Sequence, residues 1–184
     1  MLTNILFALW FFLPAGLSNT TPVIVAKIPF LKNYNYPIDF KKSFRGKRIF
    51  GDHKTIRGFI TGMIVAVIVS MLEVNIYSNN EFVRSVVRID YSQINPLILG
   101  LLSGFGALSG DAIKSFFKRR AGVQPGKAWI PFDQIDYIIG GILLTLPYIR
   151  LELSEYIVVF IVWTILHPFS TVTGYLLKLK SQPI

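Results

Sequence analysis

Apolar residues in this chain fall into long blocks rather than into a repeating stripe. Met1 to Ala26 carries no formal charge, and neither does Tyr156 to Leu177. A helix of about 20 apolar residues spans the hydrocarbon core of a bilayer, so each block is long enough to cross one. Three more blocks lie between them, around "GFITGMIVAVIVSML", "INPLILGLLSGFGALSG" and "YIIGGILLTLPYI". The pattern predicts an all-α integral membrane protein, one domain of five transmembrane helices, at about 3–30, 56–77, 94–114, 133–150 and 155–177. The middle three reach bilayer length only with their charged ends counted, and such ends must face protein or water. The first block has no positive n-region, so it is expected to persist as a proline-interrupted span rather than a cleaved signal.

Charge placement orients the spans. Sixteen of the nineteen Lys and Arg residues lie in segment 27–57, in segment 114–127 or in the tail at Lys178 and Lys180. Only Arg84, Arg88 and Arg150 lie on the other side. The positive-inside bias puts the N-terminus outside and the C-terminus in the cytoplasm, with cytoplasmic loops at about 31–55 and 115–132. Composition agrees: 52% of residues are hydrophobic and 16% charged, against about 25% charged in soluble domains. The pI of about 9.9 follows from this topology, so no nucleic-acid partner is expected. The absence of cysteine excludes disulfides and thiolate metal sites.

One polar stretch breaks the pattern, "SGDAIKSFFKRRAGVQPGKAWIPFDQID" from Ser109 to Asp136. Asp111 falls at the cytoplasmic end of the third span, and Asp133 and Asp136 at the cytoplasmic start of the fourth. All three carboxylates therefore sit at one membrane depth. Asp133 and Asp136 share a helix face, and Gly140 on that face leaves space above them. Ser115, Lys118 and Arg119 follow Asp111 along its helix, while Phe116 and Phe117 are free to touch lipid. Three carboxylates without His or Cys suit a hard cation such as Mg²⁺, and neighbouring Lys and Arg suit phosphate oxygens. Together they point to phosphoryl or nucleotidyl transfer, where a soluble nucleotide could meet a lipid phosphate. Two plainer readings stay open: an amphipathic interfacial helix, or carboxylates paired structurally with Lys118, Arg119 or Arg120.

The other basic loop ends in "FGDHKTIRGFITG", which puts Lys54, Thr55 and Arg57 at the start of the second span, where a helix N-terminus favours anions. Asp52 and His53 read as solvated loop residues, and His167-Pro168 as a kink with a satisfied histidine. Gly100-xxx-Gly104 and Gly106-xxx-Gly110 read as close helix packing.

These blocks carry a resemblance. "SGDAIKSFFKRRAG" resembles the G-D-x-x-x-S-x-x-K-R block of the CTP-dependent phosphatidate cytidylyltransferases, the CDP-diglyceride synthases. "DQID" resembles that family's D-R-x-D ending, and "HKTIRGFITG" its K-K-T-x-E-G-x-x-G block. The likeness is closer to the short archaeal branch, the CDP-archaeol synthases, and covers nearly the whole chain. The Lys-Asp pair and His-Gly-Gly of the bacterial form are missing and Gln134 replaces its Arg, which favours the archaeal lipid.

The resemblance implies transfer of a cytidylyl group from CTP to an isoprenoid ether-lipid phosphate among the membrane lipids, with Mg²⁺ required and pyrophosphate released. Carried onto this chain, Asp111, Asp133 and Asp136 hold metal and take part in catalysis together with Lys118. Lys54, Thr55, Arg57, Ser115, Lys118, Arg119 and Lys127 contact the nucleotide or its phosphates. Homo-oligomerisation is left open. A CDP-alcohol phosphotransferase is disfavoured because Ala112 follows Asp111 where that family has Gly. A cation transporter or channel is disfavoured because the carboxylates lie at the cytoplasmic margin and no repeat is visible.

Overall fold

The computed structural model describes residues 1–179; Lys180, one of the tail cations, lies outside them. The elements run α1 (Leu2–Val25), β1 (Ser43–Phe44), β2 (Lys47–Arg48), α2 (Ile56–Asn79), α3 (Glu81–Val86), a 3-10 turn (Tyr91–Gln93), α4 (Pro96–Arg120), α5 (Phe132–Thr145) and α6 (Leu153–Leu176). Among the described residues four helices, α1, α2, α4 and α6, are long and apolar enough to cross a membrane. α5 has 14 residues, about 21 Å of helix. The fourth span was expected to reach residue 150, but Pro147 has no N–H to give to a helix, and the chain closes in a turn in which Ile149 N donates to Thr145 O at 2.8 Å.

Local signals set the other boundaries. Thr55 caps α2, its hydroxyl accepting from Gly58 N at 3.1 Å. Asn95 caps α4, with Pro96 at the first helical position. Glu152 and Glu155 form a reciprocal capping box on α6. The first span stops at Val25, earlier than expected, before the Lys27–Pro29 segment. The third runs on to Arg120, so Lys114, Lys118, Arg119 and Arg120 are helical residues and not part of a loop from 115. Pro14, Pro22 and Pro168 lie inside helices that continue through them.

The core gathers Phe7, Phe11 and Phe12 of α1 with Tyr137 of α5 and Trp163 of α6. Trp163 Nε1 donates to Ala8 O at 2.9 Å, and Tyr137 OH to Trp163 O at 3.1 Å, so the two polar aromatics are satisfied without water. α2 turns Ile60, Ile64, Ile68 and Ile76 outward, a lipid-facing stripe at helical spacing. Its one acidic residue, Glu73, is 2% exposed and turned into the bundle, as an ionisable side chain inside a membrane span usually is.

α4 is pinched between two neighbours by its small residues. Gly100 and Gly104 face Val67 and Ala66 of α2, and Gly106 and Gly110 face α5. A Cβ on Gly106 would lie 2.5 Å from Gly140 O, and one on Gly110 would strike the carbonyl of Asp136. Gly140 therefore leaves no open space above the aspartates, as its position on their face had suggested. The backbone of α4 fills it, and Asp136 is brought beside Asp111.

Candidate active site

The ends of α1, α2, α4, α5 and α6 that carry the basic segments surround a cavity of about 680 Å³, within the usual range for ligand sites. Its polar floor is built from α4 and α5. Lys114 Nζ stands at the focus of three carboxylates, 2.6 Å from Asp133 Oδ1, 3.1 Å from Asp136 Oδ2 and 3.2 Å from Asp111 Oδ1. Lys118 Nζ donates to both oxygens of Asp133, at 3.0 and 2.7 Å. Lys54 reaches across from the loop before α2 and donates to Asp111 Oδ2. Asp133 also accepts from Trp129 N at 2.5 Å, and Asp136 Oδ1 from Tyr137 N at 2.7 Å. Asp136 Oδ2 is buried, and its partner is the Lys114 ammonium, met as an ion pair.

Three ammonium groups thus balance three carboxylates on the floor. Lys27, Lys32, Arg57 and Lys127 also line the cavity, so its surplus charge is positive and suits a polyanion. Arg57 is half committed, with Nη1 donating to Leu31 O at 2.6 Å. Asp52 and His53 are exposed loop residues, as expected, and stand at the cavity wall. His167, expected only as a satisfied residue at a kink, lines the same cavity with its ring 5.9 Å from that of Tyr137.

Two expected phosphate ligands are placed elsewhere. Ser115 Oγ donates to Asp111 O at 2.9 Å, within its own helix. The Arg119 side chain passes behind Gly51, and neither residue lines the cavity. The reason is helical phase. At about 100° per residue, Lys114 and Lys118 lie roughly 60° and 20° to one side of Asp111, and Ser115 and Arg119 roughly 40° and 80° to the other. α5 approaches on the first side. Lys114 was missed as a site residue because the charge pattern assigned it to the following loop; its i+3 spacing from Asp111 was the available signal. Phe117 is exposed as expected, and Phe116 is half-buried with one ring face covered. The Arg120 guanidinium covers it at 3.7 Å from the ring centroid.

The loop that delivers Lys54 has its own charged centre. Asp39, 5% exposed, accepts from the Arg48 guanidinium at 2.7 Å, from Phe50 N and Gly51 N at 3.0 and 3.1 Å, and from Lys41 N at 3.0 Å. Burial alone would raise its pKa, but Arg48 and these N–H groups outweigh it and hold the carboxyl down at about 2.

Fold and site together define a multi-pass helical membrane protein with an acid-and-lysine cavity at one end of its bundle. Comparison with known proteins makes the class specific. The family model for CarS-like CDP-archaeol synthase matches residues 1–184. A CDP-archaeol synthase of Pyrococcus furiosus is 33% identical, with 97% of this chain and 98% of the relative covered. One of Methanopyrus kandleri is 35% identical over 95% and 91%. A solved structure described as an intramembrane enzyme for archaeal membrane lipid biosynthesis superposes with a TM-score of 0.70 at 25% identity, covering 91% of this chain and 94% of the other. The chain belongs to the CDP-archaeol synthase family.

Proposed function

We propose that this protein is the cytidylyltransferase that joins CTP to a digeranylgeranylglyceryl phosphate, giving the CDP-activated ether lipid and pyrophosphate for archaeal phospholipid synthesis. One observation carries the reading beyond family membership. Three carboxylates and an excess of Lys and Arg converge in one cavity at the end of a membrane bundle, where a soluble polyanion and a lipid head group can both arrive. α5 serves as a fifth, short span tucked against α4. The N-terminus faces out, and the cavity opens to the cytoplasm at the cell membrane, a topology that the distribution of Lys and Arg supports.

The donor set, three carboxylates that converge on one point, fits a hard divalent cation. Among the described residues no three acidic or imidazole groups stand ready-made as a metal cluster, because Lys114 holds their focus. Asp111, Asp133 and Asp136 would hold Mg²⁺, which when bound supplies charge neutralisation at the phosphates. The chain's own residues do the rest. The lipid phosphate, with a second pKa near 6, is largely dianionic at neutral pH, so its oxygen attacks the α-phosphorus of CTP without a strong general base. Lys118, Lys54, Arg57 and Lys127 offset the charge of two polyanions brought together. Thr55 holds the start of α2 toward them.

The test is pyrophosphate release by the purified protein, each of the four nucleoside triphosphates being paired with the ether-lipid phosphate and with phosphatidate. Turnover is expected with CTP and the ether lipid, and lost in Asp111→Asn and Asp133→Asn. Turnover of CDP-lipid with a free alcohol, or none with CTP, would refute it.

A further inference from the structure

Lys54 is the one floor cation that comes from a loop, and its reach to Asp111 depends on how that loop is fastened. Its own backbone is held at both groups: Lys54 N donates to Gly51 O at 3.3 Å, and Ile38 N donates to Lys54 O at 2.8 Å beside Ile56 N to Tyr36 O at 2.9 Å, an isolated antiparallel bridge between Pro37 and Thr55. The other anchorage lies at the end of α4. There Arg120 Nη1 donates to Arg48 O and Ile49 O at 2.9 and 3.1 Å and to Phe116 O at 3.2 Å, and Nη2 donates to Phe44 O at 3.2 Å. The guanidinium plane is stacked on Phe116 and lies 5.5 Å from the Phe44 ring centroid. The loop returns the contact, with Lys47 Nζ donating to Arg120 O at 3.0 Å where a helix C-terminus favours a cation. The β1–β2 hairpin turns tightly at Arg45 and Gly46, both with positive φ, so its carbonyls point as a group at one donor fork. A fork of five N–H donors on a rigid plane can serve such a group, whereas a single ammonium cannot.

From Ile49 the strap runs through Phe50 and Gly51, both held by Asp39, and reaches Lys54 three residues later. Arg120 is thus fixed to α4, the helix that carries Asp111, and sets the distance between that helix and the loop that carries Lys54. We infer that Arg120 is a positioning residue that acts through Lys54. By clasping the 43–49 hairpin to the end of α4, it holds the Lys54 ammonium over Asp111 for the phosphates of the incoming nucleotide. The inference rests on the reading of the cavity as the CTP site.

The experiment is a double-mutant cycle on the full-length protein in lipid nanodiscs, measuring KM for CTP, kcat, and CTP-induced thermal shift for Lys54→Ala, Arg120→Ala and the pair. Arg120→Ala is expected to reproduce the KM-against-kcat split of Lys54→Ala, with KM for CTP raised at least fivefold, and the double variant is expected to be no worse than Lys54→Ala alone. A double variant showing the product of the two single effects would mean that Arg120 acts independently of Lys54 and would overturn the inference. So would an Arg120→Ala enzyme with wild-type KM while Lys54→Ala is impaired. Should Arg120→Ala fail to fold, Arg120→Lys decides. It keeps the charge but not the fork, so a raised KM that is non-additive with Lys54→Ala supports the clasp, and full wild-type kinetics overturns it. If Lys54→Ala itself leaves CTP kinetics and thermal shift unchanged, the reading of Lys54 at the nucleotide site has failed, and the inference fails with it.

Discussion

The two sides of the cavity are held in opposite ways. Across the α4–α5 seam, backbone meets backbone at Gly106, Gly110 and Gly140, and the ion pairs of Lys114 and Lys118 are added to that contact. Across the contact between α4 and loop 37–55, the attachment is made of side chains: a guanidinium fork, a lysine, and a carboxylate that gathers N–H groups. Steric contact fixes the backbone that carries the carboxylates. Polar fastening leaves the cation of the loop adjustable by single substitutions. The carboxylate side is therefore the preorganised part of the site, and the loop is the part whose reach can be tuned.

The largest expected effect comes from opening the seam. Gly140→Val would drive a branched side chain into the backbone of α4, and overpacking of this kind costs about 1–3 kcal/mol or more. A misplacement of about 1 Å at the reacting groups can cost about 100-fold in rate. Gly100→Val makes the matching control, since its obstruction is Val67 of α2, remote from the carboxylates. Both variants are expected to lose comparable thermal stability in nanodiscs. Only Gly140→Val is expected to lose about 100-fold in pyrophosphate release, and equal rate losses would break the contrast.

Next in size is Lys114→Ala. It leaves three carboxylates facing one another without their central ammonium, and removing one partner of a buried ion group costs about 3 kcal/mol. A lowered thermal midpoint is expected, with MgCl₂ raising the midpoint of the variant more than that of the wild type. No loss of stability would show that the focus is held by something other than Lys114.

Asp39→Asn probes the loop. Its carboxyl sits at about 2 in the fold against an ordinary value of 3.8, so the charged form contributes about 2 kcal/mol at neutral pH. A depressed carboxylate pKa gives stability that is complete above the unfolded value and lost as pH falls through the folded one. The difference in thermal midpoint between wild type and variant is thus expected to be full above pH 4 and to shrink toward pH 2. A difference independent of pH across that window would remove Asp39 from the fastening.

The smallest effect sharpens the same point. Asp52 holds the other face of the same Arg48 guanidinium at 2.6 Å, but its side chain is 72% exposed. Water already serves such a pair, so Asp52→Asn is expected to change stability by no more than about 0.5 kcal/mol. Equal losses in Asp39→Asn and Asp52→Asn would mean that burial does not decide the strength of this loop.

How far the chain could be read in advance differs between these regions. Helices announced themselves as apolar blocks, and Thr55, Asn95 and Pro96 mark two of their starts in one dimension. The three aspartates were legible because charge inside an apolar context is costly enough to need a reason. Lys114 was not, since its charge was equally well explained by topology. Nor was the assignment of Ser115 and Arg119, which share the broad face of Asp111 but fall on the side away from α5. The clasp of Arg120 on the hairpin joins residues more than 70 positions apart, and no local pattern reports such a pairing.

By itself the sequence determined that the chain inserts in a membrane, which of its ends gathers positive charge, and which acidic residues stand in apolar surroundings. These follow from transfer free energies, which depend on composition and order along the chain. The tertiary structure decided which cations meet which carboxylates, that Gly140 closes a seam rather than opening a space, and that Lys54 arrives on a strap fastened by Arg120. Those facts depend on which faces of separate helices and loops come together, and helical phase and steric fit settle that only once the elements are packed.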